Sequence, residues 1–549
     1  MPIRTDRPFF LLLVLCGFFF LTNIGSYEHF LRAESNFALG ARDMLETGEF
    51  LLPHASHELP LNKPPLQYWL IGLSYSVLGY SHGASRVPAA LCALGVVALV
   101  YFFGCRLRDR TVGLTASAML ATSYMFWSFA RLAMPDILLT LAVGGTLTSW
   151  TLVLTDRTTR PGWLTYIAAA SMALGFLVKG PLAVALCLLP VIILVVVSRD
   201  LGLVRQLRPV SGALVFLLVA SPYFLLVYAQ HGLEPLRNWF LNENLQRFTG
   251  SSYETTQPLL VFETTAFLAN FAPWSLLLAV TACTYRHWRG TEPAARRAVG
   301  LLVAWLVAPL LIFSVSRFKL DYYFLTSVPP AALLVALTPL GDPWPKGWPT
   351  NVARAMVGLL LALPVAAMVV TIPVVSANFA GVTLRWLPHL VAVVTFLPAL
   401  VVVVRRRLAH LPFTLSFHFW AAAMAAYLVL VPQYSQFLPA RVLAARVPPA
   451  SVVYTSARAN VFALDIALYL PTLEPVGVLY GDTDNSRLRE ILVSNPAAVA
   501  LIYERDRQDL ERAGLPVRVL AQAAANTQPQ LTGGSLRRPA LDTLYLVTR

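Results

Sequence analysis

At 549 residues, 57% hydrophobic and only 13% charged, the chain is too apolar for a soluble globular protein, in which about a quarter of residues carry charge. The composition excludes the soluble classes and requires a membrane. The 42 Lys and Arg against 28 Asp and Glu leave a net charge of +14, which in a polytopic chain reads first as sidedness, so no nucleic-acid partner is expected.

A spanning helix needs roughly 20 mostly apolar residues. Thirteen such runs are expected, centred near residues 16, 95, 120, 145, 170, 189, 220, 273, 306, 331, 364, 396 and 422. The first follows Arg4 and Arg7 and reads as a retained helix, because no small-residue cleavage site follows it. With a cytoplasmic N-terminus, the even-numbered gaps should be basic. They carry Arg106, Arg108 and Arg110; Arg157 and Arg160; Arg199, Arg205 and Arg208; Arg286, Arg289, Arg296 and Arg297; Lys346 and Arg354; and Arg405 to Arg407. An odd count then puts the C-terminal tail outside. Three long outer segments follow, at 25–85, 230–262 and 432–549, which divides the chain into a transmembrane unit, 1–431, and an outer domain, 432–549. Cys16, Cys92, Cys105, Cys187 and Cys283 stand singly in or beside apolar runs, which excludes a disulfide scaffold and a structural zinc cluster.

Charge at membrane depth costs about 2.5–3.5 kcal/mol per residue on insertion scales, so ionisable groups at the outer rim are functional candidates. In the first outer loop Phe37, Ala41, Met44 and Leu45 repeat at helical spacing behind Glu34, an amphipathic helix expected to lie on the membrane surface. His54 and His57, three apart, are the loop's candidate metal ligands. Lys63 precedes Pro64 and Pro65, which stop any helix from upstream and open a second interfacial segment anchored by Tyr68 and Trp69. Pro135 and Asp136 suit the first turn of a helix, where a carboxylate is also tolerated as a cap. Lys179 stands at the tight hairpin Lys179-Gly180-Pro181. Residues 242–248 are polar and include Arg247. Residues 314–323 gather Arg317, Lys319, Asp321, Tyr322 and Tyr323. An interfacial anchor explains any one of these cations, but not five of them facing acids on one side. Cations at headgroup depth bind phosphate by charge-assisted hydrogen bonds, and a nearby carboxylate can take a proton from an attacking hydroxyl.

The tail alternates short apolar runs at 451–455, 476–480, 498–503, 517–520 and 543–547 with helical patterns at 457–470 and 486–493. This is a small α/β module, a structural or acceptor-recruiting cap.

The strings at 41–54, 62–69 with Arg86, 177–181, 246–248 and 313–323 resemble, in order, the outer-loop motifs of bacterial integral-membrane glycosyltransferases that use polyprenyl-phosphate-linked sugars. This is the C-type fold, shared by the aminoarabinose transferase of lipid A and the protein O-mannosyltransferases. The similarity covers about residues 10–340. Where the family's first loop begins Asp-Glu, this chain has Ala33-Glu34, and Asn62 replaces the acid that often precedes the loop lysine. The resemblance implies an inverting transfer in the bacterial inner membrane, on its periplasmic side, from a polyprenyl (undecaprenyl) phosphate sugar. Lys63, Arg247 and Lys319 would hold the donor phosphate. Glu34 or Asp136 would be the base, with Arg317, Tyr322, Tyr323 and Lys179 around sugar and acceptor. The acceptor is lipid A or lipopolysaccharide, another envelope glycan, or a protein. No cofactor is required, and His54 and His57 leave a divalent cation open. A lipid-linked-sugar flippase would use the same cations, but it should show inverted repeats and paired broken helices. A scaffold would leave the outer charges without a role.

Overall fold

The computed structural model describes residues 6–26, 33–52, 63–155, 162–246, 261–288, 292–316, 319–338, 348–378, 384–405, 410–430, 443–448, 451–455, 468–469, 477–478, 485–495, 497–526 and 541–549. Eight described helices are long and apolar enough to cross a membrane, or nine if a bent pair is one span, so the chain is a multi-pass membrane protein. The shorter apolar helices Arg7–Leu21, Asp321–Leu337 and Leu411–Ala426 occupy three more of the expected centres. The twelve-residue helix Arg110–Ala121 occupies a fourth, near residue 120.

The centre at 273 is a correction. The chain there forms two helices, Val261–Asn270 and Ser275–Tyr285, bent by 109°. Pro273 lacks the N–H that a continuing helix would use and pushes the residue before it out of helical geometry. The apolar run is continuous in sequence but not in direction.

The membrane core is tight. The helices His82–Leu107 and Arg110–Ala121 cross backbone to backbone: a Cβ on Gly113 would lie 2.6 Å from the Tyr101 carbonyl oxygen and 2.8 Å from Cys105 Sγ, and one on Gly104 would lie 2.7 Å from Gly113 Cα. Small residues let helices approach closely where no hydrophobic effect drives them together. Trp274 and Trp305 are the largest side chains buried in this core.

The first outer-loop helix forms as expected, Glu34–Thr47, but Phe37, Ala41 and Met44 share burial with Glu34, Ser35 and Arg42. It is packed on both faces, against the helix Leu66–Leu78 and beneath the tail, instead of resting on a surface. Its Arg42 bonds the Leu468 carbonyl at 2.8 Å, and His82 Nδ1 lies 2.8 Å from the Tyr469 hydroxyl.

The tail sheet has the order β2-β1-β3-β5-β4, where β1 is Val453–Thr455, β2 Gly477–Val478, β3 Val499–Tyr503, β4 Arg518–Asn526 and β5 Leu541–Thr548. β1 runs parallel to β2 and β3, and β5 runs antiparallel to β3 and β4. Every residue of β3 is buried, as a strand covered on both faces requires: Val499, Leu501 and Tyr503 pack on one side, Ala500 and Ile502 on the other. β4 runs six residues beyond the expected end because pairing with β5 from Ala521 to Asn526 overrides the poor strand propensity of its alanines. The expected helix at 457–470 lies outside the described residues except for 468–469.

Gly113→Ala should destabilise the helix crossing by roughly 1–3 kcal/mol, the usual cost of overpacking. Gly358→Ala, which meets nothing within 4 Å, should not. Thermal melts of the two purified variants check this.

Candidate functional site

The turn Met134-Pro135-Asp136 and the hairpin Lys179-Gly180-Pro181 define the centre. Lys179 closes the helix Gly162–Lys179 and Pro181 opens the next, while Gly180 takes φ +63° between them, a conformation that favours glycine. The reversal aims Lys179 at the helix start, where its Nζ donates to Asp136 Oδ1 at 2.7 Å. Both side chains are almost wholly buried. Asp136 Oδ2 is buried with no hydrogen-bond partner among the described residues, so one oxygen of the carboxylate is committed and the other is not.

Lys179 Nζ also lies 5.2 Å from the Tyr323 ring centroid and 5.8 Å from that of Tyr322, within cation–π reach. Both tyrosines belong to a 3-10 helix, Asp321–Ser327. Tyr323 stacks on Phe313 at 4.6 Å and Tyr322 leans on Phe129 at 5.1 Å. Asp136, Lys179, Tyr322 and Tyr323, far apart in sequence, are thus one cluster.

Glu34 has a different environment. Arg86 grips it with two parallel bonds, Nε to Oε1 at 2.9 Å and Nη2 to Oε2 at 3.0 Å, and the Ala133 N–H donates to Oε1 at 2.6 Å. Both residues are buried. The pair ties the first loop to the turn that carries Asp136, three residues after Ala133.

Lys63 and Lys319 each meet an acid. Lys63 Nζ donates to Glu243 Oε2 at 2.9 Å, with side chains 20% and 16% exposed. Glu243 sits on a π-helix, Trp239–Gln246, a geometry frequent at functional sites. That helix packs against the Lys179 hairpin: a Cβ on Gly180 would lie 2.5 Å from Trp239 Cζ2. Beside it the Tyr68 phenol is pushed well above its ordinary range, first by burial and then by the Glu243 charge, so it stays neutral. Lys319 pairs with Glu263 on the helix Val261–Asn270, with side chains 7% and 0% exposed.

Contacts therefore run unbroken from Lys63 through Glu243, the π-helix and Gly180 to Lys179, Asp136, Tyr322 and Tyr323, and then along the chain to Lys319. Arg247, Arg317, His54 and His57 lie outside the described residues. Among the described residues no three His, Cys, Asp or Glu side chains are grouped to hold a metal ion. Sequence reasoning missed Glu263 as a site residue. The signal was available, since it is the one acid within the apolar stretch 259–268, where a carboxylate is a functional candidate by default.

The chain is similar to membrane-bound glycosyl transferases, in sequence over part of its length and in fold over nearly all of it. Residues 62–225 match the family model described as dolichyl-phosphate-mannose-protein mannosyltransferase. The chain is 31% identical over 335 residues to undecaprenyl phosphate-alpha-4-amino-4-deoxy-L-arabinose arabinosyl transferase 1 of Pseudomonas fluorescens, covering 60% of this chain and 59% of that one. It is 28% identical over 333 residues to an uncharacterized protein of Aquifex aeolicus, covering 60% and 63%. The similarity thus spans less than two thirds of the length of these relatives. The crystal structure of ArnT from Cupriavidus metallidurans bound to undecaprenyl phosphate superposes with a TM-score of 0.76 over 98% of this chain and 97% of that one, at 17% identity. The resemblance carried by the outer-loop motifs is borne out by this kinship and by a shared fold from end to end.

Removing one partner of a buried ion pair strands the other charge and costs roughly 3–5 kcal/mol. Arg86→Leu should therefore lose most folded protein on detergent extraction. Asp136→Asn also strands a charge, on Lys179, but keeps a hydrogen-bond acceptor beside it and should lose less folded protein than Arg86→Leu. Size-exclusion profiles of the two separate them.

Proposed function

We propose that the protein is an inverting glycosyltransferase of the bacterial inner membrane that moves a sugar from a polyprenyl (undecaprenyl) phosphate donor to a periplasmic acceptor. The buried Asp136–Lys179 pair beneath Tyr322 and Tyr323 is the observation that carries the reading. Of the two candidate bases, Asp136 is favoured, because both Glu34 oxygens are taken by Arg86 and Ala133 while Asp136 Oδ2 has no partner among the described residues. An acceptor hydroxyl gives its proton to Asp136 as its oxygen attacks the anomeric carbon. The carbon–oxygen bond to the lipid phosphate breaks, and the phosphate leaves with the electron pair. Lys63 and Arg247 hold that phosphate. For Lys63 this means exchanging the Glu243 carboxylate for a phosphate oxygen, which its partial exposure allows. Arg317, Tyr322, Tyr323 and Lys179 line the sugar and acceptor side. Lys319 reaches the phosphate only by leaving Glu263, so its share in that contact is secondary. Cations that meet charge as it develops supply the largest part of such catalysis.

The acceptor favoured is lipid A or another lipopolysaccharide component, since several similar relatives are 4-amino-4-deoxy-L-arabinose arabinosyl transferases. We place the N-terminus in the cytoplasm and residues 432–549 in the periplasm as a separate domain, with 1–431 forming the membrane unit. The basic inner gaps support this.

Purified protein in lipid nanodiscs, given a radiolabelled polyprenyl-phosphate sugar and a mixed envelope extract, should label an acceptor. Asp136→Asn should lower that rate on the order of 10²–10³-fold while still binding the donor lipid. If, in liposomes, label only moves between leaflets and no acceptor is ever labelled, the protein is a flippase.

A further inference from the structure

The helix Val261–Asn270 carries two polar side chains that are wholly buried, Glu263 and Asn270, seven residues apart and therefore on one face. Each grips the strand of chain that enters the 3-10 helix. Glu263 pairs with Lys319. Asn270 Nδ2 donates to the Asp321 carbonyl at 2.6 Å. Two residues of one rigid helix thus hold positions 319 and 321, and the next two residues, Tyr322 and Tyr323, are the rings that lie against Lys179. Lys179 in turn holds Asp136.

A fully buried carboxylate in a mostly apolar helix costs folding free energy, and Glu263 leaves its second oxygen, and Asn270 its side-chain oxygen, without partners among the described residues. A clamp made only for stability would be cheaper as packed hydrophobic side chains. The clamped element, not the clamp itself, touches the reacting cluster.

We propose that Glu263 is a positioning residue for the transfer reaction: with Asn270 it fixes the Lys319–Asp321 stretch so that Tyr322 and Tyr323 hold Lys179 on Asp136. This rests on the glycosyltransferase reading above. It also gives Lys319 a different principal task from phosphate binding: its ammonium is the grip by which Glu263 holds the tyrosine-bearing segment. A displacement of about 1 Å in a positioning element can cost on the order of 10² in rate. Such a loss falls on kcat, because Lys63, assigned to the donor phosphate, is held by Glu243 on a different element.

The test uses the full-length protein in nanodiscs, with undecaprenyl phosphate as the binding probe and labelled transfer as the activity. Glu263→Gln should lower kcat by about 10- to 100-fold, with KM for the donor and Kd for undecaprenyl phosphate within about 3-fold of the parent. Glu263→Asp should restore part of the rate. Unchanged kcat in an active preparation overturns the proposal. So does a Kd that tightens as kcat is kept, which would make Lys319 a phosphate ligand released by the loss of its partner. If Glu263→Gln does not fold, the double variant Glu263→Met with Lys319→Met removes both charges at similar volume. It should fold and stay slow, and recovery of the parental rate in it equally overturns the proposal. Parental protein that binds undecaprenyl phosphate but transfers no sugar marks failure of the glycosyltransferase reading itself, a result distinct from these.

Discussion

Everything at the candidate site depends on one constraint: a charge that leaves water in or beside a membrane must find its opposite. Three pairs satisfy it with almost no exposure, Arg86 with Glu34, Lys179 with Asp136, and Lys319 with Glu263. In each the partners come from different elements, so neutralising the charge also fixes tertiary structure. The first loop is tied to the turn before Asp136, that turn's helix to the Lys179 hairpin, and the bent pair to the 3-10 helix. The ion pairs that neutralise the buried charges and the contacts that hold the loops in place are the same contacts. Such pairs add little net stability over packed apolar groups, but they specify which loop meets which.

The fourth pair shows what the others are not. Lys63 and Glu243 keep 20% and 16% exposure and lie on a short stretch before two prolines and on a π-helix. Water still reaches them, so the cost of exchanging one anionic partner for another is smaller than for the sealed pairs. The rim therefore grades from sealed ion pairs that set geometry to one that water reaches and that, in the proposed reaction, would receive the donor phosphate. Asp136 stands between these regimes: its partner is buried, yet one of its oxygens has no partner among the described residues.

Most of the membrane architecture is legible in the sequence because apolar length and basic flanks are direct consequences of the bilayer. Position 273 is not, since hydropathy averages over direction and only Pro273 hints at the turn. The individual site residues Lys63, Asp136 and Lys179 stand out as charges where charge is costly, but pairing does not. Nothing in the strings around Lys63 and Glu243, 180 residues apart, says that they touch. The helix Glu504–Arg512 escaped because its sequence, Glu-Arg-Asp-Arg-Gln-Asp-Leu-Glu-Arg, offers only Leu510 to an apolar pattern. It is fixed instead by a cap in which Asp506 accepts the Tyr503 N–H at 3.1 Å, and by Arg507, which bridges Glu504 and Glu511.

The tail bears on sidedness through a different physical route from the arginines. Tyr469 packs against both the membrane core and the tail core, its hydroxyl meets His82 at the start of a spanning helix, and Leu468 accepts from the buried Arg42. A segment cannot make those contacts from across a bilayer, so the tail and the first loop share one face whatever that face is. In the proposed orientation the cationic gaps are the separate argument that puts the opposite face in the cytoplasm. His82 lies four residues from Arg86, one turn along the same helix, and Arg86 holds Glu34. The tail therefore docks within one helical turn of the ion pair that anchors the loop bearing Lys63, which makes it a structural neighbour of the site and not an appendage.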